Sequence, residues 1–369
     1  MAIFADNSHD EPRRNRGGGW IGWGLVAAAI VAITVIALLP SPYVVEKPGP
    51  VYDTLGTTRV DGEAVPLIEI PVEKTYPTTG SLDMLTVTVS GNREQPLNWL
   101  DAAMAWLNPS QAVLPIESVY PEGVTVEQSN QQGAEEMANS QKDAIAAALH
   151  DLGYEFPSSL TVEQVVDDSP AAGVIKAGDV VTAINGQPFA DVTALKDAIA
   201  VNGADKPATL SIERDGTATD VEVTPVIPDG GTAPVIGVVL SSDYDFPFDV
   251  SIQLDNVGGP SAGQMFALGI IDKLTPGSLN GGTDVAGTGT ITGDGVIGPI
   301  GGIRQKLYGA RDAGAEYFLA PDSNCDEVTG HIPSGLTVFS VKTLDDSLAV
   351  MSALEAGDDL SSLPTCPSS

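Results

Sequence analysis

The sequence predicts an α+β protein behind a single N-terminal transmembrane helix. Three observations carry that reading. Residues 20–39 form an apolar run without a charge. Short strand-like stretches follow, interleaved with helical spacings, at 67–72, 82–89, 131–152 and 161–224. Two glycine-rich loops, at 258–263 and 301–302, each open onto an apolar helical stretch. The 369 residues leave room for roughly two or three domains with real cores.

At 1.5 Å per residue a helix over 20–39 matches the roughly 30 Å hydrocarbon layer of a bilayer. Arg13, Arg14 and Arg16 precede it, Trp20 and Trp23 mark one interface, and Tyr43 marks the other. A cleaved signal peptide is the rival, but the run is long for one and 39–43 lacks a small-x-small ending. The expected layout is a cytoplasmic tail over 1–19, a retained helix over 20–40, and all later residues outside the cell membrane. Acids outnumber lysine plus arginine 49 to 17, a net charge of −32. That excludes general nucleic-acid or anionic-surface binding, which needs basic patches. Two cysteines without clustered histidines argue against a zinc site, so no metal is expected. Cys325 and Cys366 both fall on the outer side, where a disulfide persists; such a bridge would contribute roughly 3–4 kcal/mol.

Proline-rich residues 41–50 read as an extended tether. Strands follow at 67–72 and 82–89, with a turn at 79–81 between them. Residues 98–107 have helical spacing and stop at Asn108-Pro109. A longer helix covers 131–152, with Gly153 beyond its end. From 161 to 224 strands alternate with one helix (192–200), and Asn185-Gly186 and Asp215-Gly216 are hairpin turns. A linker over 225–234 leads to a strand at 235–240, expected to re-enter the last domain. Helices are expected over 262–271, 302–313 and 344–356, and an acidic, serine-rich tail closes the chain.

Ser261 follows Pro260 at a loop-to-helix junction, where uncapped N–H groups and the helix dipole stabilise a developing oxyanion. Such a run is ordinarily only a turn and a cap. As a nucleophile, Ser261 has two readings. Gly259-Pro260-Ser261-Ala262-Gly263 fits the G-x-S-x-G elbow, which would require His331 with Asp312, Asp322 or Asp326. Alternatively Lys306, flanked by Ile303 and Leu307 on its helix, serves as base once burial lowers its pKa. A surface lysine with a snorkelling stem is the ordinary explanation for that position.

Two resemblances sharpen these readings. Residues 169–200, SPAAGVIKAGDVVTAINGQPFADVTALKDAIA, resemble the PDZ domains of exported bacterial proteases. That implies a groove beside the helix at 192–200 in which a partner segment adds as a strand. DNVGGPSAG (255–263), VAGTGTITG (285–293), GPIGGIRQK (298–306) and DAGAEYFLAP (312–321) resemble the proteolytic domain of the Lon family, peptidase family S16. This resemblance implies Ser261 as nucleophile and Lys306 as base. It further implies Thr283 as a supporting hydroxyl, and Gly259, Pro260, Gly301 and Gly302 as the shaping loops. No cofactor is implied. Fainter likeness at 79–89 and 137–148 implies a Lon-type domain interrupted by the PDZ domain: 41–153, insert 154–228, 229–355, then a tail over 356–369. The whole layout is similar to the YlbL-like membrane proteins of Gram-positive bacteria.

Departures are Val257-Gly258 where the family has Lys-Asp, and Thr288-Gly289-Thr290 where it has Thr-Gly-Glu. No G-x(4)-G-K-[ST] run occurs in the chain. The expected function is an ATP-independent, membrane-anchored serine endopeptidase acting on unfolded or membrane-proximal segments. The alternative is a PDZ-based adaptor on an inactive protease fold. Expected partners are protein or peptide substrates, the membrane and, from the family, further copies of the chain; nucleic acid is not expected.

Overall fold

The structure is a computed structural model and describes residues 18–368, apart from 61, 122, 190–191, 229–232 and 256. Helix α1 (Gly18–Leu38) covers the uncharged run. Among the described residues no helix is long and apolar enough to cross a membrane; the described side chains of α1 are those of 23–38 only. The expected spanning helix is thus met as a helix and not as a span. The side chain of Trp20 and the arginines at 13, 14 and 16 lie outside the described residues.

The expected tether is instead strand β1 (Tyr43–Asp53), with Val44 and Val45 buried. Pro48 and Pro50 disguise it, since neither has an N–H to give a ladder. The fold absorbs them at a register shift between Pro48 and Val51 in the antiparallel pairing with β2 (Ser81–Ser90). The expected hairpin at 67–89 does not form. From its first run only Ile68–Glu69 is strand, and that pairs with Ser251–Ile252. Asn98 caps α2 (Trp99–Trp106) by accepting from the Asp101 N–H, and β3 (Ala112–Pro115) pairs with β1.

Helix α3 (Val126–Asp151) begins earlier than its apolar spacing suggests. Its first turns are polar, and a capping box between Thr125 and Gln128 starts it. Residues 158–244 then form a second sheet: β4 (Ser158–Val165), β5 (Val180–Ile184), α4 (Val192–Asn202), β6 (Ala208–Arg214), β7 (Thr217–Val223) and β8 (Val238–Tyr244). Its order is β7-β6-β5-β4-β8. Asn185 and Gly186, and Asp215 and Gly216, all have positive φ, the geometry of tight hairpin turns. Residues 235–240 do not lead straight into the last domain. They run into β8, which pairs along β4 at the edge of this sheet.

The rest of the chain supplies α5 (Gly263–Leu274), β9 (Asp284–Gly287), α6 (Ile303–Ala313), β10 (Tyr317–Pro321), β11 (Thr337–Val341) and α7 (Leu344–Ala356). With β1–β3 these strands make a six-stranded sheet ordered β11-β10-β9-β2-β1-β3. Successive residues alternate between its faces. Val285, Leu319 and Phe339 face a core shared with α3, α5 and α7, while Ala286, Phe318 and Val338 face α6. The first core joins residues from both sides of 158–244, and a separate core lies wholly within 160–236.

Cys325 and Cys366 are disulfide-bonded, with Cα atoms 5.0 Å apart and a sequence separation of 41. The bridge seats the tail on the edge of β11, where the Ser340 N–H donates to Pro364 O and the Cys366 N–H to Val338 O. Cys366→Ser should therefore lower unfolding stability by about 2–4 kcal/mol, read by calorimetry against the wild type in non-reducing buffer.

Candidate active site

Ser261 sits in a loop that α3 braces from behind. The Gly259 N–H donates to Gly133 O at 2.8 Å, and Ser140 Oγ donates to Pro260 O at 2.8 Å. Gly259 has φ +85°, which favours glycine. A Cβ on Gly258 would come within 3.1 Å of the Gly133 backbone, so α3 and the loop touch through two glycines. Beyond the loop, α5 starts without a side-chain cap. Its first N–H groups are paired locally: the Gln264 N–H donates to Gly289 O, and the Met265 and Phe266 N–H groups donate to Ala262 O.

Lys306 arrives from the other face. Gly302, at φ +68°, turns the chain into α6. The preceding Ile300 is clamped by Asn324, whose Oδ1 accepts from the Ile300 N–H at 2.9 Å while its Nδ2 donates to Ile300 O at 3.0 Å. One turn into α6, Lys306 is 2% exposed. Its Nζ donates to Ser261 Oγ at 2.6 Å and to Thr288 Oγ1 at 2.9 Å. Burial lowers the Lys306 pKa from 10.5 to about 7, with no carboxylate bridged to it among the described residues. An amine so placed is substantially neutral at physiological pH and can accept a proton.

The expected supporting hydroxyl is misplaced by one strand. Thr283 Oγ1 donates to Asn280 O in the turn before β9. Thr288 lies beyond the other end of β9, roughly 16 Å along an extended chain. Besides receiving Lys306, Thr288 donates to Ser261 O at 2.9 Å, which also accepts from the Gly289 N–H. Sequence held the cue in Thr288-Gly289-Thr290, directly after an apolar strand; spacing alone does not say which threonine reaches inward. Ser140 and Gly133 carry no comparable sequence signal, because their role depends on α3 packing across the loop.

The structure brings Gly259, Pro260, Ser261, Gly301 and Lys306 to one cleft of about 340 Å³, whose apolar wall includes Tyr52, Met84, Met137 and Val257. A longer groove shares Val87, Met137 and Val257 with it and runs on to Val119 and Tyr120. His331 is not brought to the cleft; its N–H donates to Val328 O. Asp312, Asp322 and Asp326 are exposed. The serine–histidine–acid arrangement is absent among the described residues. So is any group of histidine, cysteine or carboxylate side chains able to hold a metal.

Asn324→Ala removes both contacts to Ile300 and leaves its buried backbone groups unpaired. The expected loss is about 2–3 kcal/mol of stability, measured by thermal denaturation, with a matching fall in any reactivity of Ser261.

Comparison with known proteins matches two stretches of the chain to known families. Residues 256–354 match the Lon protease (S16) C-terminal proteolytic domain, and residues 123–224 match the PDZ domain. A Lon protease of Geobacter metallireducens is 38% identical over 112 residues, 30% of this chain and 13% of that protein. Lon protease 2 of Herpetosiphon aurantiacus is 40% identical over 95 residues, 25% of this chain and 11% of that protein. The chain thus spans only about an eighth of the length of these curated relatives. Among solved structures, the PDZ domain of an SdrC-like protein from Listeria innocua is 26% identical and covers 22% of this chain and 92% of that one, at a TM-score of 0.21.

Proposed function

We propose that this chain, which carries a Lon-type proteolytic domain and a PDZ domain in a mixed α+β fold, is a serine endopeptidase with a Ser261–Lys306 dyad. One observation carries the reading: the 2.6 Å contact between Lys306 Nζ and Ser261 Oγ, made by a lysine buried without a countercharge.

Neutral Lys306 takes the proton of Ser261 as Oγ attacks the scissile carbonyl carbon. Oxyanion donors are limited by what is already committed. Gly259 gives its N–H to Gly133, and Pro260 has none, so the Ser261 and Ala262 N–H groups at the start of α5 are the nearest. The C–N bond then breaks, and the leaving amine takes the proton held on Lys306. Water next attacks the acyl-serine carbon and gives a proton to Lys306; the C–Oγ bond then breaks as Lys306 returns that proton to Ser261 Oγ, and the acid product leaves. Thr288 keeps Nζ aimed at Oγ throughout. The chemistry needs neither a histidine nor a metal.

The finer reading extends to the setting. Membrane attachment through residues 20–40, with 1–19 cytoplasmic and the remainder outside, is supported by the uncharged run and by the 21 residues of α1. The PDZ domain is read as an insert in the proteolytic domain, with limits moved from 154–228 to about 158–244 by the pairing of β8 with β4. β8 is an edge strand, the position to which a peptide adds in this fold class. Action without ATP, on unfolded or membrane-proximal segments, belongs to the same reading.

The test is the full chain in detergent micelles with an unfolded protein substrate and no nucleotide. Fragments should form, ATP should not change their rate, Ser261→Ala should abolish them, and His331→Ala should leave them. Cleavage that survives Ser261→Ala, or disappears in His331→Ala, rejects the dyad.

A further inference from the structure

Helix α2 is amphipathic in an unusual sense: its apolar stripe faces outward. Ala102 and Ala105 turn inward and are buried. Leu100, Ala103, Met104 and Leu107, at the i, i+3, i+4, i+7 spacing of one helical face, are all exposed. Leu107 is 81% exposed and Met104 61%. Trp106 flanks the stripe and is also exposed.

This face adjoins the end of α1. The Trp99 N–H donates to Leu39 O, Ser41 N–H donates to Leu97 O, and Pro40 bridges to Asn98. Leu38 and Leu39 are themselves at least half exposed. Tyr43 packs edge-on to both Trp99 and Trp106, at 5.6 Å each, so three aromatic rings gather where α1 ends.

The geometry points to α2 as a lipid-docking surface, lying along the headgroup–acyl boundary of the bilayer that receives α1. It rests on the membrane attachment proposed above, but not on the proteolytic chemistry. What selects lipid over a second copy of the chain is the continuity with α1. There Leu25, Val26, Ile30, Val31 and Val35 are exposed in directions that go all the way round the helix. A partner helix would cover one stripe; only a fluid apolar phase covers every direction. Aromatic rings at the junction suit the interface, where one edge is apolar and the other wet. With a net charge of −32, attachment here must come from apolar burial rather than attraction to anionic lipid, so a zwitterionic surface suffices.

The docking also aims the groove. Val89 pairs with Glu46, three residues along β1 from Tyr43 and about 10 Å from it. Val89 and Tyr120 line the groove that adjoins the Ser261 cleft. Substrate would therefore be drawn from chain segments lying at the lipid–water boundary.

The test uses the full chain with Trp20→Phe and Trp23→Phe, leaving Trp99 and Trp106 of the four tryptophans, reconstituted into phosphatidylcholine vesicles. The chain should float with the vesicles, and lipid bearing a nitroxide near its headgroup should cut tryptophan emission about twofold or more. Adding Leu100→Asp, Met104→Asp and Leu107→Asp should leave flotation and remove most of that quenching. A floating chain whose emission is quenched by aqueous iodide and not by the lipid nitroxide overturns the proposal while sparing the anchor. Cross-linking of Leu107→Cys between copies overturns it in favour of self-association. A chain that does not float overturns both. Labelling of Ser261 by an acylating probe in the same samples reports separately on the proteolytic reading.

Discussion

Lys306→Ala should abolish acylation of Ser261, a loss of at least 10²–10⁴-fold in labelling rate by a serine-directed probe. The wild-type rate should rise with pH and level off above about 7, because only the neutral amine accepts the proton and burial has brought its pKa there. An unshifted lysine would give a profile still climbing toward 10, and that outcome would reject the buried-base account. The same burial has an opposite sign for stability. Free lysine titrates near 10.5 and the folded group near 7, so between those values the unfolded chain holds the extra proton. Stability at Lys306 is thus penalised in full below about pH 7 and recovers as pH rises toward 10.5. Lys306→Met should melt higher than wild type at pH 7 and show a flatter dependence on pH across that window.

Thr288→Val should slow acylation by about 10–100-fold without unfolding the protein. The hydroxyl accepts from Lys306 Nζ and donates to Ser261 O, and valine fills the same space with neither function. Nζ then loses the contact that fixes its direction, and Ser261 O keeps only the Gly289 N–H. The fall should appear in the rate of acylation more than in the concentration dependence of binding. Thr288→Ser should restore most of it, since it returns the hydroxyl. Thr283→Val is the contrast, because its hydroxyl serves only the Asn280 turn at the other end of β9. Equal effects of the two substitutions would remove Thr288 from the site.

Legibility followed locality. Helices marked by apolar period and terminal glycine, such as α6 and α7, end where their sequence signals say, at Gly314 and Gly357 with positive φ. The contact of Ser261 with Lys306 was readable because both stand on loop-to-helix junctions with strong local grammar. What escaped depends on partners distant in sequence. β1 is a strand because β2 and β3 pair with it on either side, whereas its prolines argue locally for a tether. β8 looks like a linker's continuation until β4 claims it. Ser140 could be any small residue on a buried face until α3 crosses the nucleophile loop. Choosing Thr288 over Thr283 required the length of β9 and its register against β2, which no local pattern supplies.

The ends of the inserted sheet meet: Ser158 pairs with Tyr244, and the Asp245 N–H donates to Pro157 O. While the insert is folded, the surrounding domain therefore closes only a tight turn at that point. Should the insert unfold by itself, the same two points would be joined by a slack loop on the order of ninety residues, and the extra closure entropy would be roughly 2–3 kcal/mol. The inserted module thus stabilises its host through chain statistics as well as through side-chain contacts such as Lys142 Nζ with Asp243 Oδ1 at 2.7 Å and Tyr244 Oη with Asp143 Oδ1 at 2.8 Å. Anything that clamps the insert's own fold tightens the proteolytic domain by the same route.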